Sequence, residues 1–420
     1  MPASFLPNIL FLAHRVPYPP DKGDRIRSFN LLRFLSRRAC VHLACLADEP
    51  VEEDTMLALR SYCARVAVVP VGGRSRWLRA LFSLARGRTV SEGAFDLPEL
   101  GAVVRRWASE TRFDVTLASA SSIAPYLRLE ELRDIPAVLD LMDVDSQKWF
   151  DYAATCRGPR AWLYRTEGRR LRRLEQTLSG WARAITLVGE AEADIYRQFC
   201  PDGPVHAITN GVDLDYFHPT LPAVGPSCVF VGALDYLPNV EGAVWFCREV
   251  WPEVLRCRPK AKFYLVGRRP AAAVQRLADL PGVELVGQVP DVRPYVAAAA
   301  VTVVPLRIAR GVQNKVLESL AMSRPAIASP QTLAGLKAQP GVHLLQASSR
   351  EQWQQAILAL FDDPALGRRL GEAGRRYVEE HHCWERCLQP FAPLLGLPTE
   401  PTPSSQQDAP PRFRALAPIR

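Results

Sequence analysis

The sequence predicts an α/β protein with two Rossmann-like domains, each built on a parallel sheet. Short apolar runs recur along the 420 residues, and an amphipathic stretch follows most of them. In one such stretch Ile26, Phe29, Leu32 and Leu35 recur at three-residue spacing, which places them on one face of a helix. Strands that are apolar throughout and alternate with helices belong to parallel sheets covered on both faces. Because the series occurs twice, we expect two such domains that face one another.

The predicted strands are the apolar runs themselves. In the first half they are residues 8–13, 41–46, 65–71, 114–118, 137–141 and 184–188. In the second half they are residues 228–232, 262–267, 283–286, 300–305 and 326–329, with helices at 239–255, 271–279 and 311–322.

Turn and linker signals predict the domain boundaries. Asn210-Gly211 favours a tight turn, and a proline-rich segment follows it. The end of the chain is rich in Pro, Ser and Gln and is too polar to build a core. We predict a first domain at 1–212, a linker at 213–226, a second domain at 227–380, a helix at 381–396 that returns to the first domain, and a disordered tail at 397–420.

Composition and charge limit the classes of function. Hydrophobic residues make up 48% of the chain and charged residues 23%, which is typical of globular proteins. Since no uncharged run is long enough to span a membrane and no signal peptide is recognisable, we expect a cytoplasmic protein. The net charge of +8 suits anionic partners such as nucleotide diphosphates or acidic lipids. Nucleic acid is not an expected partner, because no nucleic-acid motif accompanies the charge.

The loop after the first predicted strand is one candidate binding segment. It follows His14, which could orient an acceptor or cap the loop, and it contains Gly23, Asp24, Arg25 and Arg27. Ligands of open α/β sheets bind at the carboxyl ends of strands, and the first N–H groups of a helix attract anions. A proline-rich surface turn would give the same pattern, so both interpretations stay open at this point.

The segment 305–318 is a stronger candidate. It follows a predicted strand, and Gly311 is expected to open a helix on which Lys315 and Glu318 share one face. A lysine near a helix N-terminus can reach a diphosphate, and a carboxylate one turn deeper can accept the hydroxyls of a ribose. A surface ion pair is the alternative, but it leaves Gln313 and Asn314 at the strand end unexplained.

Two further groups of residues have the spacing of metal ligands. Asp143 and Asp145 could chelate a hard cation, although Asp145 or Ser146 would also cap a helix. We favour a metal-free role in which these residues and Lys148 line the cleft. The group His381-His382-Cys383 with Cys387 could face a metal, but thiols packed in a core are the favoured interpretation.

The combined motifs resemble the GT-B fold glycosyltransferases of family 4, and more closely the sugar transferases of PEP-CTERM/exosortase exopolysaccharide clusters. The resemblance covers about residues 7–390 and rests on the segments 143–149, 210–219, 238–241 and 309–318. It implies the GT-B fold and a retaining transfer from a nucleotide-sugar donor, held mainly by the second domain. The acceptor, a glycan or lipid-linked glycan, would be held mainly by the first domain, and no metal or other cofactor would be needed.

The resemblance also implies roles for single residues. Glu318 matches the second glutamate of the family's Glu-x7-Glu motif, which grips the nucleotide ribose, whereas Arg310 stands in place of the first. The family's basic pair after the first strand of the second domain is also missing near Gly232. We therefore expect Lys315, Arg310 and Arg307 to meet the charge of the diphosphate, with Arg25 or Arg27 reaching across the cleft. The expected donor-binding residues are Gly232, Arg307, Gly311, Gln313, Asn314, Lys315 and Glu318, and the expected catalytic residues are Arg310, Lys315 and Glu318.

Other functions stay open on the sequence alone. Arg310 and the missing basic pair would suit a catalytically weak sugar-nucleotide-binding protein, and a nucleotide-sugar epimerase would use the same fold. A nicotinamide oxidoreductase is disfavoured because no G-x-G-x-x-G follows either first strand.

Two stretches that mix arginines with apolar residues, 74–88 and 157–173, suggest how the protein meets its acceptor. They could rest on the inner face of the plasma membrane, where anionic lipids attract basic segments. The alternative is that the arginines are solvated while the apolar side chains turn inward to the core.

Overall fold

The computed structural model describes residues 6–21, 23–220 and 225–400. These residues form two compact units. Of the described residues, the first unit takes in those up to Ile208 and those from Leu388 to Glu400, and the second runs from Thr209 to Cys387. Most of the predicted tail, residues 401–420, and part of the predicted linker, residues 221–224, lie outside the described residues.

The first unit is an α/β sandwich around one parallel sheet. Its strands are β1 (Asn8–Ala13), β2 (Cys40–Ala47), β3 (Arg65–Pro70), β4 (Val115–Ser119), β5 (Ala137–Met142), β6 (Ala184–Leu187) and β7 (Val205–Ala207). Its helices up to Ile208 are α1 (Gly23–Ser36), α2 (Glu53–Arg60), α3 (Gly73–Ala85), α4 (Val90–Phe95), α5 (Pro98–Glu110), α6 (Asp145–Ala154), α7 (Gly158–Ser179) and α8 (Glu190–Arg197), with short 3-10 helices at Ala124–Arg128 and Glu130–Leu132.

The second unit repeats this architecture. Its strands are β8 (Ser227–Val231), β9 (Lys262–Val266), β10 (Val283–Gly287), β11 (Val301–Val304), β12 (Ala326–Ala328) and β13 (Leu345–Gln346). Its helices are α9 (Leu237–Trp245), α10 (Trp251–Cys257), α11 (Ala272–Gln275), α12 (Arg293–Ala298), α13 (Asn314–Ala321), α14 (Pro330–Leu333), α15 (Arg350–Asp362) and α16 (Pro364–His381), with a π-helical turn at Phe246–Val250 and a 3-10 helix at Arg276–Asp279. This unit ends at Cys387, within helix α17 (Trp384–Leu388), and α18 (Phe391–Leu395) belongs to the first.

Both sheets change winding direction at an inner strand. Within the described residues the first sheet has the order β3-β2-β1-β4-β5-β6-β7, and the second has the order β10-β9-β8-β11-β12-β13. All the strand pairs are parallel, and residues such as Leu10 in β1 and Phe230 in β8 are fully buried. In such sheets the crevice beside the reversal point, at the carboxyl ends of the strands, is where ligands bind. These crevices are therefore the places to look for a site in each unit.

The predicted fold class is confirmed, and the differences concern short elements and helix ends. The sequence analysis missed the edge strands β7 and β13, which are too short to show a pattern. The helix predicted at 239–255 is α9, the π-helical turn and α10 in succession. The single helix predicted at 381–396 is wrong, because His381 ends α16 and Pro390 separates α17 from α18. In the part of the chain that the structure describes, no helix is both long enough and apolar enough to cross a membrane.

Candidate functional site

In the second unit, the reversal point brings Gly232 and helix α13 together. Gly232 follows β8, and the loop after the neighbouring strand β11 leads into α13. A Cβ atom on Gly232 would lie 2.9 Å from the Nζ atom of Lys315, so the ammonium lies directly against the backbone at this strand end. Two of the predicted donor residues, far apart in sequence, therefore meet at the carboxyl edge of the sheet.

The Lys315 ammonium has an unusual environment. Its Nζ donates a hydrogen bond of 2.7 Å to Oδ1 of Asn239 and lies 4.4 Å from the ring centroid of Phe230. Burial lowers the pKa of Lys315 to about 7, although the charge of Glu318 acts in the opposite direction. The lysine can therefore change its charge near neutral pH.

Glu318 is half-buried, and its carboxylate makes no hydrogen bond or ion pair with another described residue. Burial raises its pKa to about 7, while the charge of Lys315 opposes this shift. A carboxylate that loses hydration without gaining a partner is destabilised, unless a ligand supplies hydrogen bonds. Glu318 is therefore suited to accept hydrogen bonds from the hydroxyl groups of a ligand.

The loop before α13 differs from the prediction. Gly311 has a φ of +59°, which a helix does not allow, and the helix begins at Asn314 instead. The expectation that Gly311 opens the helix was therefore wrong, and Lys315 is the second helical residue. The side chain of Gln313 donates a 2.8 Å hydrogen bond to the carbonyl of Arg310, which holds the turn closed.

The other predicted donor residues lie around this turn. Arg307 is exposed and Arg310 is half-buried, and neither is among the charged groups that shift the pKa of Lys315. Asn314 accepts a long hydrogen bond of 3.5 Å from Asn210. The structure thus brings Gly232, Lys315 and Asn239 together, but it does not bring the two arginines to them.

In the first unit, the reversal point lies between β1 and β4. His14 follows β1, and Ser121 comes two residues after β4. The hydroxyl of Ser121 donates a 2.7 Å hydrogen bond to Asp145, which follows β5. Two non-glycine residues at these strand ends, Ala120 and Met142, have positive φ of 104° and 66°, and such strain collects at functional sites. Sequence reasoning missed Ser121, although a run of serines directly after a strand was a usable signal.

His14 lies among carboxylates at this edge. Burial lowers its pKa, while Asp24 and Asp145 act in the opposite direction. Asp24 also accepts a 2.7 Å hydrogen bond from Arg15; burial raises its pKa, but the charges of His14 and Arg15 more than offset this and lower it. The predicted residues His14, Asp24 and Asp145 are therefore electrostatically coupled in one place.

Asp143 and Lys148 lie beside this group. Burial raises the pKa of Asp143 to about 7, the charge of Glu192 adds to the shift, and Lys148 opposes it. Gly23, also predicted here, is exposed and begins α1.

Over residues 6–21, 23–220 and 225–400, no three His, Cys, Asp or Glu side chains are placed to hold a metal ion. In the cysteine group, His382 is held by hydrogen bonds to the Asn210 carbonyl and the Tyr377 hydroxyl.

Three predicted residues of the first unit have structural roles instead. Arg27 is fully buried and forms a bidentate ion pair with Asp140, so the expectation that it reaches a diphosphate was wrong. Ser146 is fully buried, and both its N–H and its hydroxyl donate hydrogen bonds to Glu175. It therefore cannot line a cleft.

Arg25 is the third of these residues. It is 7% exposed and lies within 3.2 to 3.6 Å of carboxylates of Asp21, Asp48 and Glu49. Its charge is already compensated, which contradicts its expected contact with the donor.

The basic stretches present apolar side chains outward. Leu78 and Phe82 on α3 are 69% and 56% exposed, and Trp162 and Leu163 on α7 are 65% and 38% exposed. Arg170 on α7 donates hydrogen bonds to the carbonyl of Leu84, near the C-terminal end of α3, and to that of Arg88, three residues beyond it, so the two helices adjoin. The side chains of Trp77 and Leu81 lie outside the described ones. For the four exposed residues, the alternative that apolar side chains turn inward is wrong.

Comparison with known proteins finds a family model that is similar to part of the second unit. The model described as Glycosyl transferases group 1 matches residues 225–363, which lie inside this unit and include the whole Gly232–Glu318 site. A comparison with curated proteins finds no match.

Several solved structures are similar over almost the whole chain. Sucrose-phosphate synthase from Thermosynechococcus elongatus is 18% identical with a TM-score of 0.70, and the match covers 92% of this chain and 98% of that one. HepE from Anabaena in complex with UDP and glucose is 14% identical with a TM-score of 0.67, covering 93% and 99%. WaaG, a glycosyltransferase involved in lipopolysaccharide biosynthesis, is 14% identical with a TM-score of 0.65, covering 92% and 100%. The two units together therefore have the fold of the GT-B glycosyltransferases.

Proposed function

We propose that this protein is a retaining glycosyltransferase of exopolysaccharide biosynthesis, related to the PEP-CTERM/exosortase-associated enzymes. It moves a sugar from a nucleotide-sugar donor, bound by the second unit, to a glycan acceptor. The observation that carries the proposal is the half-buried, unpartnered Glu318 three residues from Lys315, at the reversal point of a sheet within the matched family segment. That a similar structure contains UDP and glucose supports a nucleotide-sugar ligand.

The residues of the second unit suggest how transfer proceeds. The Glu318 carboxylate accepts hydrogen bonds from the ribose hydroxyls. Lys315 and the first N–H groups of α13 stabilise the charge that develops on the departing diphosphate. The bond between the sugar's anomeric carbon and the phosphate oxygen breaks, and the acceptor oxygen bonds to that carbon from the same face. The departing phosphate oxygen takes the acceptor's proton. Because the phosphate oxygen acts as the base and Lys315 meets the charge, we propose that neither a metal nor another cofactor is required. Arg307, which is exposed, is a further cation that could reach the diphosphate.

The coupled group in the first unit is the proposed acceptor site. Carboxylates and hydroxyls bind sugar hydroxyls by hydrogen bonds, and Asp24, Asp145 and Ser121 offer both types beside His14. Asp143, with its raised pKa, can act as a hydrogen-bond donor or acceptor near pH 7.

A panel of nucleotide sugars tests the proposed donor binding. We expect one of UDP-glucose, GDP-mannose and ADP-glucose to raise the melting temperature by about 5–10 °C at a hundredfold excess over its Kd, which corresponds to about 2.7 kcal/mol. The shift should persist in EDTA, and NADH should give none. Failure of all three donor classes would reject the proposal, and an EDTA-sensitive shift would restore the metal role of Asp143 and Asp145.

One alternative function is favoured by a specific residue. Arg310 stands where the resemblance implies a glutamate, which suits a protein that binds the nucleotide sugar without transferring it. Donor binding without sugar release or transfer to any glycan tested would favour that function.

We also propose that the acceptor is lipid-linked and that the first unit docks on anionic membrane. The exposed side chains Leu78, Phe82, Trp162 and Leu163 are suited to enter the interfacial region of a bilayer. The exposed arginines of α7 and of the segment before it would attract acidic headgroups, each by roughly 1 kcal/mol; they are Arg157, Arg160, Arg165, Arg169 and Arg173.

Liposome flotation tests this docking. We expect the protein to float with vesicles containing phosphatidylglycerol, not with pure phosphatidylcholine, and to be released by salt. Phe82→Ser and Trp162→Ser should each reduce the bound fraction several-fold, because each removes an inserted aromatic side chain. Leu57→Ser is the matched control, since Leu57 is 57% exposed on α2 of the same unit. Equal binding by all three variants and the wild type would disprove the assigned surface.

A further inference from the structure

Asn239 is a buried residue of the second unit whose amide forms hydrogen bonds through both its nitrogen and its oxygen. It is the third residue of α9 and is 6% exposed. Its Nδ2 donates a 2.9 Å hydrogen bond to the carbonyl of Ala233, and its Oδ1 accepts the 2.7 Å hydrogen bond from Lys315. The bond to Ala233 fixes the orientation of the amide, because only the nitrogen can donate. The oxygen is thereby aimed at the ammonium.

The backbone leaves room for this contact at one glycine. A Cβ atom on Gly232 would lie 2.9 Å from Nδ2 of Asn239 and 2.9 Å from Nζ of Lys315. On the next strand, a Cβ atom on Gly267 would collide with the carbonyl oxygen of Gly232, so these two strand ends are packed closely. The ammonium also lies over the Phe230 ring and makes a cation–π contact with it. Lys315 is therefore held at a defined place on the strand edge.

The hydrogen-bond partner of the Lys315 ammonium is neutral, and this determines how much of the lysine's charge a ligand can use. An amide oxygen occupies one of the three N–H groups of the ammonium and carries no net charge. A carboxylate in the same place would neutralise the lysine. The residues that face Lys315 from β8 and α9 are Phe230, Gly232 and Asn239, all uncharged, and Glu318 on its own helix is the charged group that acts on it.

We infer that Asn239 is a positioning residue: its neutral amide aims the Lys315 ammonium at the diphosphate of the nucleotide-sugar donor and leaves the lysine's charge available to it. This inference rests on the proposed function. It goes beyond that function because it assigns a role to a residue that would itself make no contact with the donor.

Two substitutions of Asn239 are expected to shift the alkaline loss of donor affinity in opposite directions. The probe is whichever of UDP-glucose, GDP-mannose and ADP-glucose binds the wild type most tightly, and the measurement is its Kd by calorimetry from pH 6 to 10. Asn239→Leu removes the aiming oxygen, so we expect the Kd to rise at least tenfold and the loss of affinity at alkaline pH to begin at a lower pH. Asn239→Asp sets a carboxylate against the ammonium, so we expect an equal or larger rise in Kd, with the alkaline loss moved to higher pH.

A third variant and a control complete the test. Gly232→Ala displaces both side chains without changing either, and we expect it to raise the Kd at least tenfold as well. Gln354→Leu on α15 is the control, since it replaces a half-buried amide of the same unit by an apolar side chain and should leave the Kd and its pH profile unchanged.

The outcomes separate this inference from the proposed function. If the wild type binds none of the three probes, the proposed function fails. If the wild type binds a probe and the Asn239 variants bind it within twofold of wild type, the positioning role alone is overturned. Weaker binding with an unmoved alkaline limb in both variants would likewise overturn it, because that result indicates a structural role only. Should Asn239→Leu not fold, the direction in which Asn239→Asp moves the alkaline loss of affinity decides the question.

Discussion

Replacing Glu318 by glutamine is expected to weaken binding of the nucleotide-sugar donor by about 10- to 100-fold. Hydrogen bonds to a charged group contribute about 1.5–3 kcal/mol, and each 1.4 kcal/mol is a factor of ten in Kd. The effect should approach the full value, because no other described residue bonds to this carboxylate in the absence of donor. Calorimetric titration of the best donor from the nucleotide-sugar panel measures it.

The pH dependence of the same Kd gives a second, independent signature. In the free protein Glu318 and Lys315 both have a pKa of about 7, and the donor needs the first ionised and the second protonated. As pH falls below 7 the carboxylate takes up a proton, and as pH rises above 7 the ammonium loses one, so affinity decreases in both directions by up to tenfold per pH unit. In Glu318→Gln the loss of affinity at acid pH (the acid limb) should disappear. The loss at alkaline pH should begin at a lower pH, because the charge of Glu318 no longer raises the pKa of Lys315.

The control for this prediction is Glu284→Gln. Glu284 forms an exposed ion pair with Lys262 on the neighbouring strand, away from the reversal point, and its loss should change the Kd less than twofold. Unchanged donor affinity in Glu318→Gln, or an acid limb that survives in it, would contradict the proposed ribose contact.

The sequence predicted the fold well because the signals of a parallel sheet are local. Runs such as 8–13 and 137–141 are apolar throughout, and their lengths and spacing are enough to identify buried strands. The edge strands β7 and β13 have three and two residues and carry no such pattern. The start of α13 was misplaced because Gly311 can either open a helix or take the positive φ that it has here.

The candidate site was predictable only where its residues are close together in the sequence. Lys315 and Glu318 share a helix, so their spacing alone places them together. The contact of Lys315 with Asn239 joins residues 76 apart, and that of Ser121 with Asp145 joins residues 24 apart. Neither follows from a motif, because each depends on how neighbouring strands order in the sheet.

Arg27 shows the limit most clearly, since its position in the loop suggested a ligand contact whereas its partner is 113 residues away. The guanidinium donates two hydrogen bonds, 2.8 and 2.9 Å, to the two oxygens of Asp140. It donates a third hydrogen bond, of 2.9 Å, to the carbonyl of Ile208. The Thr186 hydroxyl donates a hydrogen bond of 2.7 Å to the Asp140 carboxylate. Both charged side chains are completely buried. Nothing in the linear pattern distinguishes such an arginine from one that binds a diphosphate.

Arg27→Met is therefore expected to destabilise the first unit by about 3–5 kcal/mol, because it leaves the Asp140 carboxylate buried with a single hydroxyl partner. For a unit of this size the melting temperature should fall by about 6–20 °C, which calorimetry can measure. Adding Asp140→Leu to the same chain should recover most of the loss, since an apolar pair removes the unpaired charge. Arg65→Met, which breaks the exposed pair with Glu110, should cost less than about 1 kcal/mol.

Donor binding distinguishes the structural role of Arg27 from the contact that the sequence suggested. Arg27 lies in the first unit and its hydrogen-bonding atoms are all engaged by that unit, so Arg27→Met should bind the nucleotide sugar with wild-type Kd at temperatures where it is folded. An affinity loss of tenfold or more in the folded variant would mean that the guanidinium leaves Asp140 to meet the donor. That exchange is energetically unfavourable, because it would leave a buried carboxylate unpaired, a cost of several kcal/mol that one diphosphate contact of about 1.5–3 kcal/mol does not offset.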